Sequence, residues 1–297
     1  MRFTKVLLFD PNKKFYKGNL HAHTSNSDGR RTPEEVVALF REQNYDFLAL
    51  TDHWKRTADE ELRDGMLLLP GIEIDYTLPA EVIHIVGIGV SEQILEEKEH
   101  RALGPQHGVD AILACGGRAI LAHPAWSLNT PETLAALHHL TATEIYNTVS
   151  GTPWNGDRAD STSLLDIAAS HGCLLRTVAA DDCHFYNGDQ CQSYIMAQLD
   201  ELSLAGVLKA LDEGAYYATR GPRIHQVEIE EGLVTVTCSP ANLVTFHSNL
   251  VYSGGRSVTG DGMTQASYKI RKGERFLRIR VTDAQGRHAW VNPIALT

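Results

Sequence analysis

The sequence predicts an α/β protein, a barrel or an open sheet of parallel strands, followed by a small antiparallel β unit. Three observations carry that expectation. As far as Gly221, short apolar runs alternate with amphipathic stretches of helical period, as strands joined by crossover helices do. From about Ile224 the period drops to two, turns such as Gly254-Gly255 and Gln285-Gly286 intervene, and no helical pattern appears. Residues able to hold metal gather where the apolar runs end, the rim on which α/β barrels build their sites.

Each element has its own justification. Gly18 to Thr24, "GNLHAHT", reads as a short strand. A helix follows, with Thr32 as N-cap, Pro33 at the first helical position, Glu35 closing a capping box, and Val36, Val37 and Phe40 on one face. Phe47 to Leu50 is a buried strand. "MLLLPGIEI" and "EVIHIVGIGV" are further strands. "HGVDAILACGG" is a helix with a glycine stop, then "RAILAHP" a strand. "PETLAALHHL" and "DRADSTSLLDIAASHG" are helices, each followed by a strand, "ATEIYN" and "LLRTVAADDCH". "SLAGVLKALDEG" is the last helix. The expected boundary lies in Thr219 to Gln226, giving one domain over 1–222 and a β-sandwich-like unit over 223–297.

Composition narrows the function. A 297-residue chain with 43% hydrophobic and 22% charged residues can bury a large core. The net charge of -10 argues against long nucleic acid as a partner, because a phosphate backbone wants a basic surface. The apolar run Val6 to Phe9 is too short for a signal peptide or a spanning helix, so a cytoplasmic protein without a membrane partner is expected. Five scattered cysteines, with no C-x-x-C pair, read as reduced thiols.

The chemistry lies in the strand-end residues: His21, His23 and Asp28; Asp52 and His53; Glu73; His84; His123; Asp181, Asp182 and His184. An H-x-H pair can arise by chance, and a single histidine after a strand is more often structural. Six histidines and several carboxylates in that position together are not what a core produces, since buried ionisable groups must be paired or metal-bound. Imidazole with carboxylate suits zinc, manganese or iron(II) better than calcium. Extended backbone puts His21 and His23 on one face, so both can hold one ion. Asp182 and His184 are spaced likewise, with Cys183 pointing away as a core thiol.

The stretches "NLHAHTSNSDG", "FLALTDH", "PGIEI", "ILAHP" and "DDCH", in this order, resemble the motifs of the PHP (polymerase and histidinol phosphatase) family, which is related to amidohydrolases. The resemblance spans roughly residues 16–221. It implies a distorted seven-stranded α/β barrel with a trinuclear metal centre that hydrolyses phosphoesters. Carried onto this chain, it implies one ion on His21, His23, Glu73 and Asp182. A second would sit on Asp28, His53 and His184, and a third on Glu73 (bridging), His84 and His123. A metal-bridging hydroxide would be the nucleophile, with Asp28, His53 and His184 as the catalytic group. Some members carry His where this chain has Asp28. "AYYATRGP" and "FLRIRVTDAQGRHAWVNPIAL" further resemble the CehA/McbA-like subgroup, whose namesake hydrolyses a carbamate ester.

The expected substrate is therefore a small phosphorylated molecule: a nucleotide, a cyclic phosphate or a sugar phosphate. The alternatives are a carboxylic or carbamic ester hydrolase on the same centre, and a non-catalytic metal-stabilised module. Among nearby residues, Asp52 is expected to orient His53. Glu144 and Asn147 either line the pocket or pack. Trp54 and Trp126 either wall it or pack. Lys55 and Arg56 read as solvated. Arg220 either grips a substrate anion through its bidentate fork or ties the two units by a salt bridge.

Overall fold

The computed structural model describes residues 5–94 and 101–296. The elements in chain order begin with β1 (Val6–Leu7), β2 (Phe15–Asn19), α1 (Pro33–Glu42), β3 (Phe47–Leu50), β4 (Glu61–Arg63), β5 (Met66–Thr77) and β6 (Val82–Ile88). Next come α2 (Pro105–Ala114), β7 (Arg118–Leu121), α3 (Pro131–Ala136), β8 (Ala142–Asn147), α4 (Thr162–Ser170) and β9 (Thr177–Ala180). Then follow β10 (Tyr194–Gln198), α5 (Leu204–Glu213), β11 (Tyr216–Thr219), β12 (Ile224–Glu230), β13 (Leu233–His247), β14 (Ser257–Lys269), β15 (Phe276–Thr282), β16 (His288–Val291) and β17 (Ile294–Ala295). Among the described residues nothing after α5 is helical.

α1 starts as its sequence dictates. The Thr32 hydroxyl accepts from the Glu35 N–H, and the Glu35 carboxylate accepts from the Thr32 N–H at 2.9 Å, so two otherwise orphaned donors are satisfied. Val36, Val37 and Phe40 are buried with Leu48 and Leu50 of β3.

β2, β3 and the first half of β5 form a parallel ladder, Gly18 opposite Phe47 and Leu48 opposite Leu68. β5 is long enough to serve a second ladder: from Gly71 to Thr77 it pairs antiparallel with β6. β6 is antiparallel to β7 as well, and parallel pairing resumes through β7, β8 and β9. The expectation of uniformly parallel strands is corrected at β6. No helix separates it from β5. A tight turn closed by the Leu78 N–H on the Glu81 carbonyl (2.9 Å) joins them, and so short a connection permits only an antiparallel return.

The succession β2–β3–β5–β6–β7–β8–β9 returns on itself. Beyond β9, the Asp182 N–H donates to the His21 carbonyl (3.0 Å) and the His23 N–H to the Cys183 carbonyl (3.1 Å), with Ala22 and Cys183 bridged in parallel. The interior is filled by Leu20, Phe47, Leu69, Val86, Ile120 and Val178. β10, absent from the sequence reading, lies antiparallel between β2 and β11.

β12 to β15 form antiparallel ladders around Val227, Val236, Val244, Phe246, Ile279 and Val281. Hydrogen bonding crosses the expected boundary: β16 pairs with β11, and β12 pairs with β1. Phe9 and Tyr217 belong to the same apolar cluster as the later strands.

Candidate metal centre

His21 and His23 lie just past β2, and hydrogen bonding to the chain after β9 keeps that segment extended. Both imidazoles are fully buried, with their Nε2 atoms 3.1 Å apart. Glu73 sits in β5 where the strand leaves one ladder for the other, and its Oε2 lies 3.2 Å from His21 Nε2 and 3.0 Å from His23 Nε2. Asp182 Oδ1 lies 3.1 Å from each of the same two nitrogens. Four ligand-type groups from three distant segments thus face one point.

Two further clusters adjoin. One ligand atom from each of His23, Asp28, His53 and His184 falls within 4.8 Å of the others, as do those of His53, Glu73 and His84. Asp28 Oδ1 is 3.4 Å from His184 Nε2, and Asp28 Oδ2 is 3.8 Å from His53 Nε2. His84 Nδ1 lies 3.0 Å from Glu73 Oε1, and His123 Nε2 lies 3.5 Å from the same oxygen. All nine residues that the resemblance implies as metal ligands come together around Glu73 and Asp182. His84 does so from near the beginning of β6, because this strand runs antiparallel to β5 and so starts beside the site instead of ending at it.

The backbone bends sharply at these positions. Trp54, His123 and Asp182 all have positive φ, at 54°, 29° and 52°. Such conformations cost about 1–3 kcal/mol each in non-glycine residues and cluster at functional sites.

Burial alone would discharge the imidazoles. Around His21, however, Asp182, Glu73 and Glu144 outweigh that penalty and hold it well above its ordinary range. His23 is likewise raised to about 10 by Asp182 and Glu73 against its burial. Burial opposes ionisation of Glu73 and Asp182 too, but His21 and its neighbouring imidazoles overcome this and keep both carboxylates well below their usual range.

Other groups hold the ligands in place. Glu144 Oε1 is 2.8 Å from His21 Nδ1, so this residue belongs to the site and not to general packing. His123 Nδ1 contacts Ser127 Oγ at 2.8 Å. Asp52 does not orient His53, as its neighbouring position suggested. It turns toward the preceding loop, accepting from the Thr24 N–H (2.7 Å), Thr24 Oγ1 (2.7 Å) and Ser27 Oγ (2.7 Å), and from Thr57. Asp181 accepts from the N–H groups of Cys191, Gln192 and Ser193, fixing the segment before β10. Asp75, which sequence reasoning passed over, lies 3.6 Å from His53 Nδ1 and accepts from Trp54 Nε1 at 2.7 Å. The two-residue step from Glu73 on a strand was the signal that could have found it.

A cavity of about 270 Å³ opens onto this cluster. Asp28, His53, Glu73, His84, His123, Asp182 and His184 line one side, and Trp126, Val149, Ser150, Asn155 and Phe185 complete it. Arg220 is not among its lining residues. Its guanidinium lies over the Tyr146 ring, 4.2 Å from the centroid, because Tyr146 faces Trp290 and not the cavity. The anion-gripping role expected of Arg220 is therefore not supported by its position. Arg56 is engaged elsewhere, donating to the Val90 carbonyl at 2.9 Å and pairing with Asp59.

No family model matches the chain. Over 79 residues it is 39% identical to the 5'-3' exoribonuclease Rnm of Salmonella typhimurium and to that of Escherichia coli, covering 24% of this chain and 27% of each relative. Over 77 residues it is 35% identical to the 3',5'-nucleoside bisphosphate phosphatase of Chromobacterium violaceum, with the same coverage. The match thus spans about a quarter of the length of these curated relatives. A two-domain protein from Bacteroides vulgatus, containing a predicted PHP-like metal-dependent phosphoesterase, has a similar structure. Its TM-score is 0.55 at 17% identity, over 93% of this chain and 92% of that one. Across nearly its whole length the chain shares the fold of that two-domain protein, of which the PHP-like phosphoesterase is one part, in keeping with the motifs in residues 16–221.

Proposed function

We propose that this chain is a metal-dependent phosphoesterase acting on a small phosphorylated substrate. One observation carries the reading. Asp182 Oδ1 and His53 Nδ1 are buried without a hydrogen-bond partner, although imidazole or carboxylate atoms stand 3.1–3.6 Å away. Groups that are close but not aimed at each other fit a shared cation better than a proton, and the nitrogen–oxygen donor set suits zinc, manganese or iron(II).

His21, His23, Glu73 and Asp182 would hold a first ion. Asp28, His53 and His184 would hold a second, with His23 at its edge. Glu73, His84 and His123 would hold a third, beside His53. Bound divalent ions polarise a phosphoryl oxygen and make water nucleophilic near neutral pH. The chain's own residues do the rest. Asp28 is exposed (55%) and His53 and His184 are partly exposed (24% and 19%), so an incoming phosphate would approach from their side. Trp126, Val149 and Phe185 shield the far wall from water. The cavity is at the small end of ligand pockets, which favours a compact phosphate ester or the terminus of a longer one. The curated relatives named above are a 5'-3' exoribonuclease and a 3',5'-nucleoside bisphosphate phosphatase, in keeping with that chemistry. We also read the closed strand succession as the distorted seven-stranded barrel, and residues 223–297 as a second unit fused to it by β11–β16 pairing.

The test is a substrate panel with added Mn²⁺: phosphomonoesters, phosphodiesters, a nucleoside 3',5'-bisphosphate, a short 5'-phosphorylated RNA and carboxyl esters. Hydrolysis of one or more small phosphoesters is expected. Activity confined to carboxyl esters would establish the carboxylic or carbamic ester alternative instead. His23→Ala should abolish turnover and lower bound metal by elemental analysis; unchanged metal content would overturn the ligand set.

A further inference from the structure

We infer that Glu144 and Asn147 form a positioning pair that ties ligands of different ions into one frame, and that a β-bulge at Ile145 aims both inward. This rests on the metal-centre reading above.

Glu144 and Asn147 are three residues apart. In a regular strand an odd step sends side chains to opposite faces. β8 is not regular: Glu144 stands opposite Val178 and Tyr146 opposite Ala179, so Ile145 is an extra residue. The bulge resets the phase. Ile145 and Tyr146 both pack in the apolar cluster that contains Trp290. Glu144 and Asn147 both reach the metal cluster, at 1% and 0% exposure. The bulged backbone is satisfied from the segment before α4, where the Ser161 N–H donates to the Ile145 carbonyl (2.9 Å) and the Asn147 N–H to the Ala159 carbonyl (3.0 Å).

The pair's contacts reach three expected ligands and the cavity wall. Glu144 Oε1 meets His21 Nδ1 at 2.8 Å, which turns His21 Nε2 toward the first ion. Glu144 Oε2 accepts from the His123 N–H (2.8 Å), holding that residue in its positive-φ conformation, and from Asn147 Nδ2 (2.7 Å). Asn147 Nδ2 also lies 3.2 Å from Asp182 Oδ2, leaving Oδ1 directed at His21 and His23. Asn147 Oδ1 accepts from the N–H (3.1 Å) and Oγ (2.8 Å) of Ser150, which lines the cavity. Ligands of the first and third ions and one wall residue therefore share a single hydrogen-bonded unit, while Asp28 and His53 lie outside it and His184 touches it only through its Nδ1 on the Asp182 carbonyl (2.7 Å).

Glu144→Gln preserves shape but places an amide donor among groups that already donate. Chelator-stripped parent, Glu144→Gln, Asn147→Ala and His23→Ala are titrated with Mn²⁺ by calorimetry, and their melting is followed in chelator. Glu144→Gln should bind Mn²⁺ roughly 10–100-fold more weakly, with Asn147→Ala weakened less. The loss should fall on some ions and spare at least one. A purely structural role would lower the melting temperature in chelator and leave the affinity of the folded protein unchanged. Affinity within about twofold of the parent in Glu144→Gln overturns the inference, and if that variant does not fold, Asn147→Ala decides by the same criterion. Full metal content in His23→Ala would remove the metal-centre reading itself. Metal lost in His23→Ala but kept in the other two variants would remove only the positioning pair.

Discussion

Asp52 and His53 are neighbours in sequence but serve different parts of the site. His53 faces the cavity; Asp52 is fully buried and spends both oxygens on the loop that carries Asp28. Asp52→Ala leaves the buried Thr24 N–H without an acceptor, a cost of about 1–3 kcal/mol. Urea unfolding should show that loss, and Mn²⁺ binding should weaken as Asp28 loses its anchor. The protons on the site impose a second expectation. His21 and His23 are held above their ordinary range, so a metal ion must displace protons to bind them. Mn²⁺ affinity should therefore keep rising with pH toward about 10, where His23 loses its proton, with proton release detectable as buffer-dependent heat. A pH-independent affinity would mean these imidazoles do not take part. Residue identities at this scale were legible in the sequence because ligand chemistry restricts them to few types. The partner of Asp52 was not, because a carboxylate turns toward whichever donors the fold brings near.

At the scale of elements, the loop between His23 and α1 shows how local sequence shapes the site. Gly29 packs so closely that a Cβ there would stand 2.4 Å from the His23 carbonyl oxygen. Gly29→Ala should displace the loop, lowering both the melting temperature and metal content. Thr32→Ala, at the far end of the same loop, removes only a helix cap; it should cost about 1 kcal/mol in urea unfolding and leave metal content intact. α1, β3, β5, β7, β8 and β9 were readable because their periodicity and caps are local signals. The antiparallel course of β6 was not, since strand direction depends on connection length more than on composition. β10 and β11 escaped because they pair antiparallel with each other, β2 and β16, outside the alternation of parallel strand and crossover helix by which the other strands were read. The bulge in β8 leaves no trace in hydrophobic pattern at all.

Across the whole molecule, the joint between the two expected units holds a buried charge. Arg278 of β15 is 1% exposed, and its Nε lies 3.0 Å from Asp166 of α4, which also sits 3.1 Å from His247. Burial pulls the Arg278 guanidinium down from its ordinary range, opposed by Asp166. Asp166→Ala would strand that cation, an effect of about 3 kcal/mol in urea unfolding, with metal content unchanged. The period-two texture of the last seventy-odd residues was visible in the sequence; their fusion to β11 and β1 was not, because ladder partners distant in the chain leave no mark on either strand.

The expected ligands stretch from His21 to His184, and the bonds that close the strand ring pass through Ala22 and Cys183, between two of them. The ring must therefore close before a cation can find its full set of donors. Metal would arrive late in folding and act as a latch, not a seed. In stopped-flow experiments Mn²⁺ should leave the refolding rate almost unchanged and slow unfolding instead, so that its whole stabilising effect appears as a longer native lifetime.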